Sequence, residues 1–535
     1  MMADPRSGRP FTARRAAVAS PHHLASSAGL WALARGGSAV DAMVAVNATL
    51  GVVYPHMTGP GGDAFWLIYD APSGTAEVLD ASGRAAARAT AERYRALGPA
   101  IEPRGPMAAL TVPGAVDGWI QAHRRYGRLS LAECLEPAIG YARDGFPVPR
   151  HLAAYSASFL PLLRAREETA ACFLKAGRSP YTEGEVMTNP RLAATLEAVA
   201  HGGREVFYEG PIARAVAGYL AACGGVLAAE DFAAHRSDWV APVRVAYRGR
   251  TAVTTPPSSQ GLAHLQMLGM LEHFDVAATA GDPAAYIHLL VGATRLAFED
   301  RDRYLTDPAF EDVPTGKLLD GRYLAERAAL LGRGGGSRRW RPAPDGDTTF
   351  ACAVDAGGNA AAVIQSLYFG WGSGVVAGDT GLLLQNRGSF FSLDPGHPNR
   401  LQPGKRTLHT LMASMLLGPG GTPELIYGAM GGEGQPQTQT ALVTRIVDHG
   451  LGVQQAVDAP RWLYGRTWGA AHDGLRLEAR FGEQVARDLT RLGHERVELT
   501  EPWSGTMGHA QAIRVLPGRL EAAADPRSDG AATGL

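Results

Sequence analysis

From Leu330 to Asp347 the chain reads LLGRGGGSRRWRPAPDGD, and it runs without a break into TTFACAVDAGGNAAAVIQSL. A stretch crowded with glycine, arginine and proline behaves as a flexible linker. The segment after it has the pattern of two strands joined by the turn AGGN, with apolar residues on both faces. Strands apolar on both faces belong inside a sheet that is covered on both sides. The sequence therefore predicts a buried strand that opens on Thr348 and Thr349, directly behind a loose segment.

That junction has a chemical reading. A threonine hydroxyl is a weak nucleophile unless a base stands beside it. A cut between Asp347 and Thr348 would give Thr348 a free α-amino group, which titrates near pH ~7.7–8.0 and accepts a proton at neutral pH. Nucleophile and base would then be covalently oriented in one residue, removing most of the entropic cost of bringing them together. The glycine pair of YGAMGGEGQ, Gly431 and Gly432, offers amide donors for an oxyanion. On these residues alone, an ordinary strand that begins with two β-branched residues is the simpler reading.

Elsewhere the pattern alternates between helix and strand. HLASSAGLWALA (23–34) has a helical period and stops at Gly36-Gly37. SAVDAMVAVNATLGVV from Ser38 is apolar all round, which predicts a buried helix with Asp41 in its first turn. GPGGD (59–63) is a glycine turn leading into the strand pair AFWLIYD and TAEVLD. Residues 129–330 are mostly helical by period, interrupted by strand character in VAYRGRTAVTTPP. Further strands are expected near 381–385 and 424–427, and an amphipathic helix from Gly434 to Gly450. Residues 1–15 and those beyond about 522 read as disordered tails.

The bulk numbers exclude several classes. In 535 residues, lysine and arginine total 51 against 52 acidic residues, a net charge of -1. Neither sign dominates, so no nucleic-acid or membrane partner is expected. The four cysteines (134, 172, 223, 352) are far apart, which argues against a disulfide framework or a zinc site. No apolar run follows the basic N-terminus, and none reaches about 18 residues. A cytoplasmic protein without a secretory signal is the expectation. G-x-S-x-G, G-x-G-x-x-G, P-loop and H-E-x-x-H motifs are absent, and the histidines are scattered, so no metal or organic cofactor is assigned.

Taken in order, GGSAVDAMVA, GPGGDAF, TVPGAVDGW, ARDGFPV, PPSSQGLAHLQML, AFEDRDRYLTDP, GDTTFACAVDAGGNA, FGWGSGVV, PGKRTLHTLMAS, AMGGEGQ and DAPRW resemble the γ-glutamyltranspeptidase family of N-terminal nucleophile hydrolases. The likeness runs from about Val18 to Ile513. It implies an α+β fold, the four-layer αββα sandwich, made as one precursor that cuts itself into an α-subunit (16–347) and a β-subunit (348–535), with a dimer of such pairs as a further expectation. It implies that Thr348 is the nucleophile, Ser366 the hydroxyl that supports it, and Gly431 and Gly432 the oxyanion donors.

The pocket residues depart from the glutathione-handling members. Ser82 stands where those have a carboxylate-binding arginine, with Arg84 two residues on. His409 and Thr410 stand for paired serines, and Tyr368 for an asparagine. Arg387 and Phe390 replace acceptors of the substrate ammonium. An α-ammonium needs acceptors, so the substitutions argue against γ-glutamyl substrates. Arg387 suits a small carboxylate-bearing amide held bidentately. IQSLYFGWGSGVV, LQNRGSFFSLDPGHPN and PRWLYGRTWG resemble the branch of oxamate amidohydrolase and the cephalosporin acylases. The expected function is hydrolysis of a small, oxamate-like amide through a threonyl acyl-enzyme, with Arg387, His409, Thr410, Tyr368 and Arg84 as substrate-binding residues. A γ-glutamyltranspeptidase, a glutaryl-cephalosporin acylase and an unprocessed binding protein are the alternatives.

Overall fold

The computed structural model describes residues 8–331, 347–465 and 474–535. Two seven-stranded sheets form its centre. One runs, edge to edge, through Phe11–Ala13, Arg519–Ala524, Ala510–Leu516, Pro423–Ala429, Ser414–Leu417, Arg250–Thr254 and Val243–Tyr247. The other runs through Ala531–Gly534, Ala17–Ser20, Asp347–Val354, Ala360–Tyr368, Asp63–Asp70, Thr75–Ala81 and Asp238–Val240. Neighbouring strands in both are antiparallel.

Strand alternation sorts the side chains into three cores. Phe350, Cys352 and Val354 meet Leu411, Met415, Ile426 and Ile513 between the sheets. Ala351 and Ala353 face the other way, with Val363 and Trp66, onto the helix Ala39–Val53 and its neighbours. Leu416, Leu425 and Tyr427 of the first sheet pack against the helices Gly261–Leu271, Pro283–Tyr304 and Gln435–Val447. These are the four αββα layers that the resemblance implies. Because adjacent side chains point to opposite faces, each central strand is apolar on both.

Local signals hold where the sequence made them strong. His23–Ala34 and Ala39–Val53 are helices, and every residue of the second is buried. Ser38 and Asp41 close its N-terminus as a reciprocal capping box. The Asp63–Asp70 and Thr75–Ala81 strands pair as expected.

Three expectations are corrected. The C-terminal residues do not form a disordered tail: Arg519–Ala524 and Ala531–Gly534 are strands, and Asp525 and Arg527 between them are buried. Arg527 is held by Glu478, Asp525 and two backbone carbonyls, so a polar stretch is ordered by ion pairing rather than by its own propensity. At the other end, Phe11–Ala13 pairs with Leu520–Ala522, so order begins before residue 16. Residues 381–385 make only an isolated pairing of Leu383 with Val376, because Gly378 and Gly381 take positive φ and turn the chain. Most of the 330–347 linker lies outside the described residues.

Burial of imidazoles sets the acid stability. Desolvation pulls His22, His264 and His509 down to about 3 and His235 to about 4, so all four are neutral in the fold. An unfolded chain binds their protons below pH ~6.5. Stability is therefore full above that value and falls as the pH drops toward the folded values, by roughly 1.4 kcal/mol per pH unit per residue. Chemical denaturation at pH 7, 6, 5 and 4 is expected to show a steepening loss below pH 6.5. A flat profile down to pH 4 would contradict it.

Candidate active site

Thr348 and Ser366 lie on neighbouring strands, Asp347–Val354 and Ala360–Tyr368, and both are buried. The register shifts between Asp347 and Thr349, a local irregularity at the very residue in question. Thr348 Oγ1 donates to Ser366 Oγ at 3.2 Å, and the Tyr368 amide donates to the same oxygen at 2.7 Å. Ser366 thus fixes the threonine hydroxyl while being fixed itself.

The glycine pair comes after the strand Pro423–Ala429 of the facing sheet. Gly428 of that strand is glycine because Phe350 packs on it: a Cβ there would meet the Phe350 ring at 2.3 Å. Phe350 lies two residues after Thr348 and Gly431 three after Gly428, so the pair comes off the same region of the sheet interface. Gly431 has φ 131° and Gly432 φ 52°, conformations that suit glycine. The turn Gly432–Gly434 leads straight into the helix Gln435–Val447. Amide groups at a helix N-terminus carry partial positive charge and favour an anion.

The Gly431–Gly432 turn is braced from behind. Gln260 Nε2 donates to both the Gly432 and the Thr410 carbonyl oxygens at 2.8 Å. Gln260 Oε1 accepts from Arg301 at 3.0 Å, and Arg301 pairs with Glu433 at 3.4 Å. Gly431→Ala forces a side chain into a region that L residues rarely occupy. It is expected to lower kcat by roughly 10²–10³ with KM little changed, the loss typical of a misplaced oxyanion donor. Steady-state kinetics of the variant would check it, and an unchanged kcat would remove this turn from the chemistry.

Arg387 is 1% exposed. Its guanidinium lies 4.0 Å from the Tyr368 ring centroid, and Nη1 donates to Thr410 Oγ1 at 3.1 Å. Nε and Nη2, the two that make a side-on fork, have no partner among the described residues. No carboxylate there lies within ion-pair distance of it either, so the structural salt bridge that would explain a buried arginine is not found. Burial pulls its pKa down to about 10, only partly offset by Tyr368 and Asp63. A desolvated cation with two unfilled donors favours an anionic partner.

His409 Nε2 lies 3.2 Å from Asp63 Oδ2, and its ring is edge-on to Phe65. Burial, with Arg387 and Arg406 nearby, holds this imidazole well below the usual histidine range, so it is neutral. Asp63 Oδ1 accepts from the Gly83 amide (2.9 Å), the Gly114 amide (3.2 Å) and Gln385 Nε2 (2.9 Å). In the sheet, Asp63 stands directly opposite Ser366.

The structure thus joins Thr348, Ser366, Tyr368, Arg387, Thr410, Gln260 and Gly432 through a continuous set of contacts. It does not bring Arg84 into that group. Arg84 pairs with Asp238 and Asp307 and donates to the Gly404 carbonyl, which occupies its charge. Ser82 donates to Asp80 at 2.6 Å, and Phe390 packs on Tyr368. Sequence reasoning missed Asp63 and Gln260. Both sit inside the motifs GPGGDAF and PPSSQGLAHLQML, where they read only as turn and helix signals.

Among the described residues, Asp41, His123 and Cys134 cluster closely enough to suggest a metal. Asp41 Oδ2 instead accepts from the Ser38, Arg128 and Leu129 amides, and His123 Nε2 lies 2.7 Å from the Leu129 carbonyl. That cluster is a satisfied loop anchor.

The family model for gamma-glutamyltranspeptidase matches residues 25–535. The glutathione hydrolase-like YwrD proenzyme of Bacillus subtilis (strain 168) is 47% identical over 519 residues, covering 97% of this chain and 98% of that one. The oxamate amidohydrolase proenzyme of Klebsiella pneumoniae subsp. pneumoniae is 44% identical over 522 residues, covering 96% and 97%. Among solved structures, the cephalosporin acylase from Bacillus halodurans has a TM-score of 0.90 at 35% identity, covering 100% of this chain and 99% of that one.

Proposed function

The chain belongs to the gamma-glutamyltranspeptidase family of hydrolases, and on that premise we propose that it is a self-processing amidohydrolase for a small carboxylate-bearing amide of the oxamate type. The observation that carries the substrate class is Arg387, buried, unpaired at Nε and Nη2, and linked through Tyr368 to the hydroxyl that supports Thr348. A carboxylate offers two parallel acceptors for that fork.

In this reading the precursor is cut between Asp347 and Thr348. The free α-amine of Thr348 takes the proton from its own Oγ as Oγ bonds to the amide carbon. The Gly431 and Gly432 amides hold the oxyanion. The C–N bond breaks as the α-ammonium returns the proton to the departing nitrogen, leaving an acyl ester on Thr348. Water attacks that ester with the α-amine again the base; the C–Oγ bond breaks as the α-ammonium returns the proton to Oγ, and the acid leaves. Ammonia departs from a primary amide.

No helix among the described residues is long and apolar enough to cross a membrane. The four cysteines are free thiols, which suits the reducing cytoplasm proposed for the enzyme. A dimer of αβ pairs, carried over from the resemblance, belongs to the same proposal.

The test is a comparison of oxamate with γ-glutamyl-p-nitroanilide and a glutaryl amide on the processed enzyme. For oxamate, kcat/KM is expected to exceed the others by about 10²-fold or more, as for a buried site matched to one anion. Preference for the γ-glutamyl or glutaryl compound would overturn this function.

A further inference from the structure

We propose that His409, held by Asp63 in the Nε2–H tautomer, is a specificity residue that requires an N–H on the scissile bond of the substrate. The inference rests on the substrate class proposed above and goes beyond it.

Asp63 has few acceptor sites left. Three N–H donors already fill Oδ1, from Gly83, Gly114 and Gln385. Oδ2 faces His409 Nε2 at 3.2 Å. Burial pushes the Asp63 pKa up, but Gln385, Arg387 and the Gly83 amide oppose that push and favour the carboxylate. A carboxylate needs a donor at Oδ2, so Nε2 carries the proton. The ring is neutral, which leaves a lone pair on Nδ1. That nitrogen is fully enclosed and has no partner among the described residues.

The unfilled acceptor has unfilled donors for company. Thr410, next in the chain, holds Arg387 through Oγ1, and the Nε and Nη2 groups of Arg387 are equally enclosed and unpartnered. Asp63 faces Ser366 across the sheet, on the side that carries Thr348. Directly opposed residues have Cβ atoms about 4.5–5.5 Å apart, so the carboxylate that holds the His409 ring stands one strand beyond the hydroxyl that supports the nucleophile. Buried polar atoms are rarely left unpaired without a reason.

A ligand that satisfies both must show an anionic oxygen next to an N–H. The monoamide of a dicarboxylic acid as short as oxalate does so on one edge: a carboxylate oxygen for Arg387 beside an amide N–H for His409 Nδ1. The corresponding ester would set an oxygen lone pair against the nitrogen lone pair. The pocket would thus reject esters of the very acid whose amides it cleaves.

The test uses an isosteric pair, N-methyloxamate and monomethyl oxalate, on the processed wild-type enzyme, on His409→Leu and on Asp63→Asn. Intrinsic reactivity cancels when the amide-to-ester ratio of kcat/KM is compared between proteins. In His409→Leu that ratio is expected to fall roughly 30-fold, the scale of one buried hydrogen bond replaced by a clash. Asp63→Asn makes a sharper demand. Its carbonyl must stay with the three N–H donors, so its NH2 faces Nε2 and forces the Nδ1–H tautomer. The ratio should then fall at least as far, because the ester oxygen now meets a donor. Processing of each variant into two pieces reports that it folds, and either variant alone decides the matter. Turnover of both substrates with an unchanged ratio in the variants would overturn this inference while leaving the substrate class intact. Turnover of neither oxamate nor N-methyloxamate by the wild type would overturn the substrate class and this inference with it.

Discussion

Thr348→Ala is expected to remain one uncut chain and to lose at least about 10⁴-fold in kcat, the scale seen when a covalent nucleophile is removed. Two separate losses converge on one atom. On the proposed mechanism, without Oγ nothing attacks the peptide bond at Asp347, so the α-amine is not released. Without the α-amine, the hydroxyl bonded to Thr348 cannot replace it as the base, because Ser366 has no basic nitrogen. Thr348→Ser keeps Oγ and its bond to Ser366, and it is expected to be processed and active at a reduced rate. Electrophoresis under denaturing conditions and turnover of oxamate check both variants. An active, uncut Thr348→Ala protein would remove Thr348 from the mechanism altogether.

Arg387→Leu is the second large effect, and it separates function from stability. Loss of a bidentate, desolvated carboxylate contact is expected to reduce kcat/KM by roughly 10²–10³, mostly through KM. The unliganded protein should melt no lower than the wild type. Arg387 is buried without a carboxylate partner among the described residues, its desolvation only partly offset by Tyr368 and Asp63, and replacing such a charge by an apolar side chain relieves that desolvation. A structural arginine would behave in the opposite way, with a large fall in Tm and little change in KM for the fraction that stays folded. Thermal melts beside kinetics therefore distinguish the two roles in a single pair of experiments.

Legibility in the sequence tracked the range of the interactions. The helix Ala39–Val53 was readable because its cap, its first-turn acid and its apolar surface all lie within sixteen residues. The strand opening on Thr348 was readable because its partner comes after one short turn. Asp63 was not, because its meaning comes from His409, Gly83, Gly114 and Gln385, far away along the chain. Alone, it is the polar end of a glycine turn. Gln260 was hidden in the same way, since the two carbonyls it bridges belong to separate loops. The C-terminal strands were missed for another reason. Alanine, aspartate and glycine have low β-propensity, and these segments are strands because Ala17–Ser20 and Ala510–Leu516 present edges for them. Arg84 shows the converse. Its place in the chain pointed to the pocket, and two carboxylates in space took its charge.

The central claim is that Thr348 becomes an N-terminal residue, and intact mass measurement of the purified protein under denaturing conditions tests it most directly. Two pieces are expected, with N-terminal sequencing of the smaller one beginning Thr-Thr-Phe-Ala. A single chain of 56.4 kDa, or a cut at any other bond, would contradict it, because the α-amine on which every step of the mechanism depends would not exist.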